Sequence, residues 1–486
     1  MSAESPAETP GAPGPPGSPG AAPPDPLALV RTRRYLVLLL MAAVIGVPVS
    51  AVAYGFLALV GELQSWTYTD LPKGLGFHGT PPWWPLPLLG VAGLLVGAII
   101  RYLPGTGGHR PAEGLSTKGV SGSIELPGIL LAALVTLGLG AVLGPEGPLI
   151  ALGGGLAVGA VRLTKRPIPP RAAAVVGAAG SFAAVSALLG SPLLGAFLLM
   201  EASGLGGTML STMLLPGLLA AGVGSLIFVG LGDWTGLGTY SLVLHQVPHA
   251  STPDIAEFGW ALAIGLAAGL LGSAIRRLGL ALQARVERRT VVATLLAGLV
   301  VAGSAIAYAQ GTGRNASEVL YSGQSAMDPL LINQASYSVG VLLLLIACKS
   351  LAYGVSLSAF RGGPVFPSMF IGAAGGMLLS HLPGLSLTAG FAMGIGAMCV
   401  AMLRLPMTAV LLATLLLGTE GLTVMPLVIV AVVVSYVVAL RLTPEPAPPS
   451  ESAAPPAPSA PSAPSAPPAP SAPPVSPPAP AAPATG

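Results

Sequence analysis

The chain is poor in charge. Of its 486 residues only 8% are Asp, Glu, Lys or Arg, while 53% are hydrophobic. A soluble domain carries about 25% charged residues, so an ordinary water-facing surface is excluded and a polytopic membrane protein is implied. Cysteine is nearly absent: Cys348 and Cys399 both lie in apolar runs, which excludes a disulfide framework or a thiolate metal cluster. The five histidines are scattered, so neither a metal site nor a cofactor is expected. There is no His-Glu-x-x-His motif, and Gly180-Ser181-Phe182 lacks a matched His or Lys that would make the serine a nucleophile. An enzyme is therefore not expected. A net charge of +3 gives no reason to expect nucleic acid as a partner. No signal peptide is expected either, because the first apolar run begins near Tyr35 after a long polar, Pro-rich lead.

What the chain does have is apolar length, glycine and proline. Residues 1–30 and 443–486 are Pro/Ala-rich tails that cannot bury a core and are expected to be disordered. Between them lie apolar runs at 35–60, 81–100, 126–145, 147–161, 172–200, 202–232, 258–275, 290–313, 329–348, 362–403, 405–419 and 421–440. A spanning helix needs about 20 apolar residues. Several runs are too short or too long for one clean span, and many are cut by Gly or Pro. The expected fold is an all-α membrane bundle of tilted and discontinuous helices, packed closely through its 66 glycines. Arg31, Arg33 and Arg34 precede the first run, which places the N-terminus in the cytoplasm of a cell in whose membrane the bundle sits. The basic cluster Arg276, Arg277, Arg285, Arg288 and Arg289 is expected to be a solvated cytoplasmic face.

One charge stands out. In Gly144-Pro145-Glu146-Gly147-Pro148, Glu146 sits between residues 126–145 and 147–161, neither of which carries a charge. A charge at that depth costs a few kcal/mol unless it lines a polar path, and broken backbone there is tolerated only around a cavity. Glu146 is thus a candidate for an ion path. The alternative is a kinked span whose Glu caps a neighbouring helix.

The same segment has a second copy. A shift of 219 residues places Gly144-Pro145-Glu146-Gly147-Pro148 on Gly363-Pro364-Val365-Phe366-Pro367, and Gly153 on Gly372. A shift of 214 sets Ser191-Pro192 beside Leu405-Pro406. Paired Gly/Pro-interrupted segments mark a transporter fold of two inverted-topology repeats, here expected at 31–235 and 258–442 with a polar connection at 236–257. A helix that starts at membrane depth leaves its first N–H groups unpaired and its N-terminus partly positive. Two such ends converging make an anion site. A carboxylate beside it competes for the same donors, and protonation releases it.

These residues resemble the CLC family of chloride channels and proton-coupled antiporters. Gly363 to Pro367 is similar to the family's Gly-x-Phe-x-Pro, and Gly144 to Pro148 to its Gly-Arg-Glu-Gly-Pro. Gly107-Gly108-His109-Arg110-Pro111 stands where the family has Gly-Ser-Gly-Ile-Pro, and Pro192 to Glu201 resembles Pro-Leu-x-Gly-x-Leu-Phe-x-x-Glu. Pro406 to Val410 resembles another segment of the second half. The resemblance implies a homodimer in the lipid bilayer with one pore per subunit, chloride or a similar monovalent anion as substrate, and Glu146 as gate. It places the anion site on Gly107, Gly108, His109, Gly144, Pro145, Gly147, Gly363, Pro364, Val365 and Phe366, and a candidate proton path on Glu146 and Glu201.

The departures qualify this. The family's anion-coordinating Ser falls on Gly108, its filter Phe on Val365, and the Arg before its gate on Pro145. Its late Tyr has no counterpart, since Tyr436 comes too early. Weaker anion binding or unusual selectivity is expected. The second acid found beside Glu201 in many of the family's antiporters is Ala202, so a passive channel is expected rather than an antiporter. A non-transporting relative with a decayed filter is the third reading. Glu201 is expected to be structural, Lys349 to snorkel, and Glu125 to cap the helix that begins beside it; His109 and Arg110 stand at a proposed helix entrance, where they could titrate and draw anions in, but a polar loop pair at the interface is the favoured reading.

Overall fold

The structure, a computed structural model, describes residues 31–115, 124–163, 170–204, 207–236 and 242–443. The tails expected to be disordered lie outside the described residues, apart from Thr443. Among the described residues there is no strand, and the chain is a succession of helices. In chain order these are α1 (Arg33–Ser65), continued by a π-helical turn into α2 (Leu71–Gly74), α3 (Pro85–Tyr102), α4 (Leu126–Gly138), α5 (Glu146–Leu163), α6 (Pro170–Leu189), α7 (Pro192–Ser203) and α8 (Gly207–Thr235). The second half holds α9 (Ile255–Arg288), α10 (Thr290–Thr312), α11 (Met327–Ile332), α12 (Val339–Ala359), α13 (Val365–Leu379), α14 (Leu387–Leu403), α15 (Pro406–Leu416) and α16 (Gly418–Arg441). Among the described residues, nine helices are long and apolar enough to cross a membrane, while α4, α7, α13, α14 and α15 are apolar but shorter.

Local chemistry sets where these helices begin. Ser191, Asp254, Ser338 and Ser386 stand at N-caps, their side-chain oxygens accepting from the N–H groups of Leu194, Glu257, Val341 and Ala389. Each satisfies one donor that the first helical turn leaves unpaired. Pro192 and Pro406 open α7 and α15, where the missing N–H costs nothing. The apolar run 172–200 accordingly breaks at Gly190-Ser191 into α6 and α7, and the run 362–403 divides into α13 and α14.

The repeat read in the sequence is a repeat of packing. Helix α5 crosses α6 where Gly153 meets Gly180, and α13 crosses α14 where Gly372 meets Gly394. At either crossing a Cβ would fall on the facing backbone carbonyl, so only glycine lets the axes approach this closely. The end of α7 meets the opening of α15: Glu201, near the end of α7, accepts from the N–H groups of Met407 and Thr408 at 3.0 and 2.8 Å and from the Thr408 hydroxyl at 2.7 Å. The outer faces of α1, α9 and α16 present Leu40, Val44, Leu262, Leu266, Val433 and Val437, the apolar exterior that lipid requires.

One expectation is corrected. Lys349 does not snorkel. It is fully buried on α12, and its Nζ donates to the carbonyls of Glu318, Val319 and Leu320 at 3.0 Å each, with the Phe370 ring 4.4 Å away. A buried ammonium is tolerated only when its donors are matched, and here three carbonyls of one turn match them. The basic cluster, all but Arg289, lies within α9, whose 34 residues reach about 50 Å at 1.5 Å per residue, longer than the ~30 Å hydrocarbon core. Arg277, Arg285, Arg288 and Arg289 are exposed, and Arg285 and Arg288 stand in the last turn of the helix.

Substituting Gly372→Ala should drive a methyl into the Gly394 carbonyl and lower the thermal unfolding midpoint in detergent by several degrees, whereas Gly375→Ala, which meets nothing within 4 Å on the same helix, should hold or raise it through helix propensity. Equal midpoints for the two variants would contradict the crossing.

Candidate functional site

The strand-like linkers before α5 and α13 meet at repeat-matched residues. Gly144 N–H donates to the Gly363 carbonyl at 2.8 Å, and Gly363 N–H returns the bond to Gly144 at 2.5 Å. This isolated antiparallel bridge brings the N-termini of two helices, of 18 and 15 residues, to one place. Each leaves unpaired N–H groups and a partial positive charge there.

Glu146 is the first residue of α5 and is wholly buried. Its Oε1 accepts from Phe366 N–H at 2.9 Å, so the carboxylate of one helix sits on the N-terminal donors of the other. Its Oε2 has no hydrogen-bond partner among the described residues. Glu146 therefore does cap a neighbouring helix, as the alternative sequence reading has it, and does so at the junction of two helix starts. The linker beneath is fixed by Tyr353, whose buried hydroxyl donates to the Pro364 carbonyl at 2.7 Å. That donor is engaged and does not replace the family's late Tyr.

A cavity of about 620 Å³ opens against this junction, with Gly107, Gly108, His109, Gly147, Pro148, Gly362 and Pro364 in its wall. Arg361 lines it too, only 7% exposed. Its Nε donates to the Thr106 carbonyl and its Nη1 to that of Phe360, both at 3.2 Å. Thr106 lies in the left-handed region at φ 49°, a β-branched residue held there at a cost of order 1–3 kcal/mol, with its carbonyl on Arg361.

Most of the residues expected at the anion site do converge. Gly144 and Gly363 form the bridge, the Pro145 carbonyl starts α5 by accepting from Leu149 N–H, Gly147 and Pro364 face the cavity, and Val365 and Phe366 are buried behind the carboxylate. Gly108 has φ 96° and ψ −164°, a region essentially limited to glycine, so a serine could not take this backbone without strain.

His109 and Arg110 stand as a polar loop pair, the reading favoured for them, ahead of a single 3-10 turn at Pro111–Glu113, and residues 116–123 lie outside the described residues. The His109 ring bonds the Gly114 carbonyl at 2.8 Å, and Arg110 pairs with Glu113 at 3.3 Å and Glu287 at 3.1 Å. Burial opposes ionisation of Glu113, but hydrogen bonds from Gln283 and Arg110 outweigh it and hold its carboxyl below the ordinary range. Glu125 occupies the N-cap position of α4 but makes no side-chain capping bond, because its backbone is already helical. Glu201 is held at the start of α15 and makes no hydrogen bond to Glu146. Arg361 and Tyr353 are the residues that sequence reasoning missed.

Known proteins agree with this architecture. The family model described as voltage gated chloride channel matches residues 92–440. The YfeO protein of Salmonella schwarzengrund, named for ion transport, is 32% identical over 368 residues, covering 72% of this chain and 82% of that protein. Its counterpart in Salmonella paratyphi A is 31% identical over 367 residues, with the same coverage. Among solved structures, a slow cyanobacterial Cl⁻/H⁺ antiporter aligns with a TM-score of 0.65 at 19% identity, covering 83% of this chain and 94% of that one. A CLC-type fluoride/proton antiporter aligns with a TM-score of 0.63 at 21% identity, covering 84% and 96%. At those identities the structures speak for the fold alone, whereas the family model spans most of the chain. The chain is a multi-pass membrane protein of the voltage-gated chloride channel (CLC) family.

Proposed function

We propose that this chain passes a small monovalent anion, chloride in the first instance, through the junction of α5 and α13, with Glu146 as the gate. The observation that carries the reading is the 2.9 Å bond from Phe366 N–H to Glu146 Oε1. A carboxylate there is a tethered anion on the donors that a free anion would use. An anion can take its place when the carboxylate swings away or is protonated, since the neutral acid competes weakly for helix-end donors.

The flux is passive. A proton-coupled cycle needs a relay from Glu146 to a second acid, and the neighbour of Glu201 is Ala202 while Glu201 itself is engaged by three donors on α15. The second reading, a proton-coupled anion antiporter, is favoured by the retained glutamate and by the solved neighbours, two of which are described as antiporters. The protein works as a homodimer in the cell membrane with its N-terminus cytoplasmic, the orientation supported by Arg31, Arg33 and Arg34.

Purified protein in vesicles decides among the readings. A chloride gradient should drive anion efflux with no stoichiometric proton movement; uphill proton transport driven by chloride would establish the antiporter instead, and no flux at any pH would remove both. Flux should rise as pH falls, because protonation frees the helix-end donors. Glu146→Gln, fixed in the neutral form, should give a high flux that no longer varies with pH; a variant that keeps the wild-type pH profile would remove Glu146 from the gate.

A further inference from the structure

We propose that Arg361 forms a second anion subsite, holding a small monovalent anion in the cavity before it reaches the paired helix ends. The proposal rests on the reading of Glu146 as the gate of an anion path. Arg361 sits in the linker between α12 and α13, two residues before the Gly363 that pairs with Gly144. It lines the cavity wall together with Gly147 and Pro364, so an anion beside it would be next to the gate.

Its chemistry is incomplete without a ligand. The side chain is 7% exposed, and burying a cation without a counterion is costly. None of the ion pairs among the described residues involves it. Two of its nitrogens donate to the carbonyls of Thr106 and Phe360, which leaves Nη2 without a protein partner among the described residues. These two bonds do not neutralise the charge; they aim it. The other polar side chains on the wall are occupied or of the wrong sign. Ser181 and Ser203 donate to the carbonyls of Ile150 and Met200, the His109 ring is held by Gly114, and Glu125 repels an anion.

The arrangement also answers a deficit. Gly108 offers no hydroxyl, and its backbone conformation would not accept a serine without strain. A guanidinium at the same cavity supplies donors with a full charge, which gives hydrogen bonds roughly twice as strong as neutral ones. Guanidinium is weakly hydrated, so the subsite should prefer weakly hydrated bromide or nitrate over fluoride.

Anomalous diffraction from wild-type crystals soaked in bromide tests the placement without any variant. The expected result is a peak beside the Arg361 guanidinium, separate from any peak at the Phe366 N–H. No peak beside Arg361, with or without one at the helix ends, would overturn this inference and leave the gate reading intact, because the closed Glu146 itself occupies the Phe366 donor. In vesicles, Arg361→Gln should raise the half-saturating chloride by about tenfold or more, the loss expected for a charged hydrogen bond, while high chloride restores the flux. Arg361→Lys, which keeps the charge, should shift it less. An unchanged half-saturation in Arg361→Gln would overturn the subsite, and if that variant does not fold, the bromide map decides.

Discussion

Backbone donors that have no partner inside their own helix are the constraint on which this molecule depends. At membrane depth there is no water to satisfy them, and a helix that begins there must find an acceptor. The bridge between Gly144 and Gly363 sets two such beginnings against each other, so their donors and partial charges add in one place. The rest of the fold maintains that meeting. Close glycine crossings hold α5 on α6 and α13 on α14, Tyr353 ties down the linker before α13, and the Lys349 ammonium gathers the carbonyls of residues 318–320 against α12. Glu146 supplies the acceptor from within the protein, and the proposed gate is the exchange of that acceptor for a free anion.

Much of this was legible in the sequence because breaking a helix in a membrane leaves a mark. Gly and Pro at 144–148 and 363–367 located the two helix starts, and the offset between the segments foretold that they were equivalent. That Gly144 and Gly363 would bond to each other was not legible, since a repeat fixes correspondence and not contact. The argument that singled out Glu146, an expensive charge between apolar runs, applies equally to Arg361, which stands between Lys349 and a run of residues 362–403 that carries no Asp, Glu, Lys or Arg. In the sequence Arg361 marks only the edge of that run, and its place in the cavity is visible only in the structure. Lys349 misled for a related reason: a lysine at the end of an apolar stretch usually reaches water, and only the tertiary fold brings three carbonyls to it. His109 and Arg110 form the polar loop pair that their sequence favours, ahead of one short turn.

Membership of the CLC family fixes the architecture but not the ligand set, and here the two diverge. The residues that resemblance would make side-chain anion ligands are absent at Gly108 and in the last helix, and the arginine expected before the gate is Pro145. The charge at the site is instead distributed between helix ends, a carboxylate on α5 and a guanidinium on the linker to α13. On the proposed reading selectivity rests on backbone geometry and on Arg361, with Glu146 bonded to the donors at the start of α13.

Chloride binding measured by calorimetry on detergent-solubilised wild type and Glu146→Ala, across a range of pH, tests most directly whether carboxylate and anion compete for the same donors. If they do, the alanine variant binds chloride about tenfold tighter at neutral pH, and the wild type approaches it as the pH is lowered. Equal affinities for the two proteins at every pH would contradict the account.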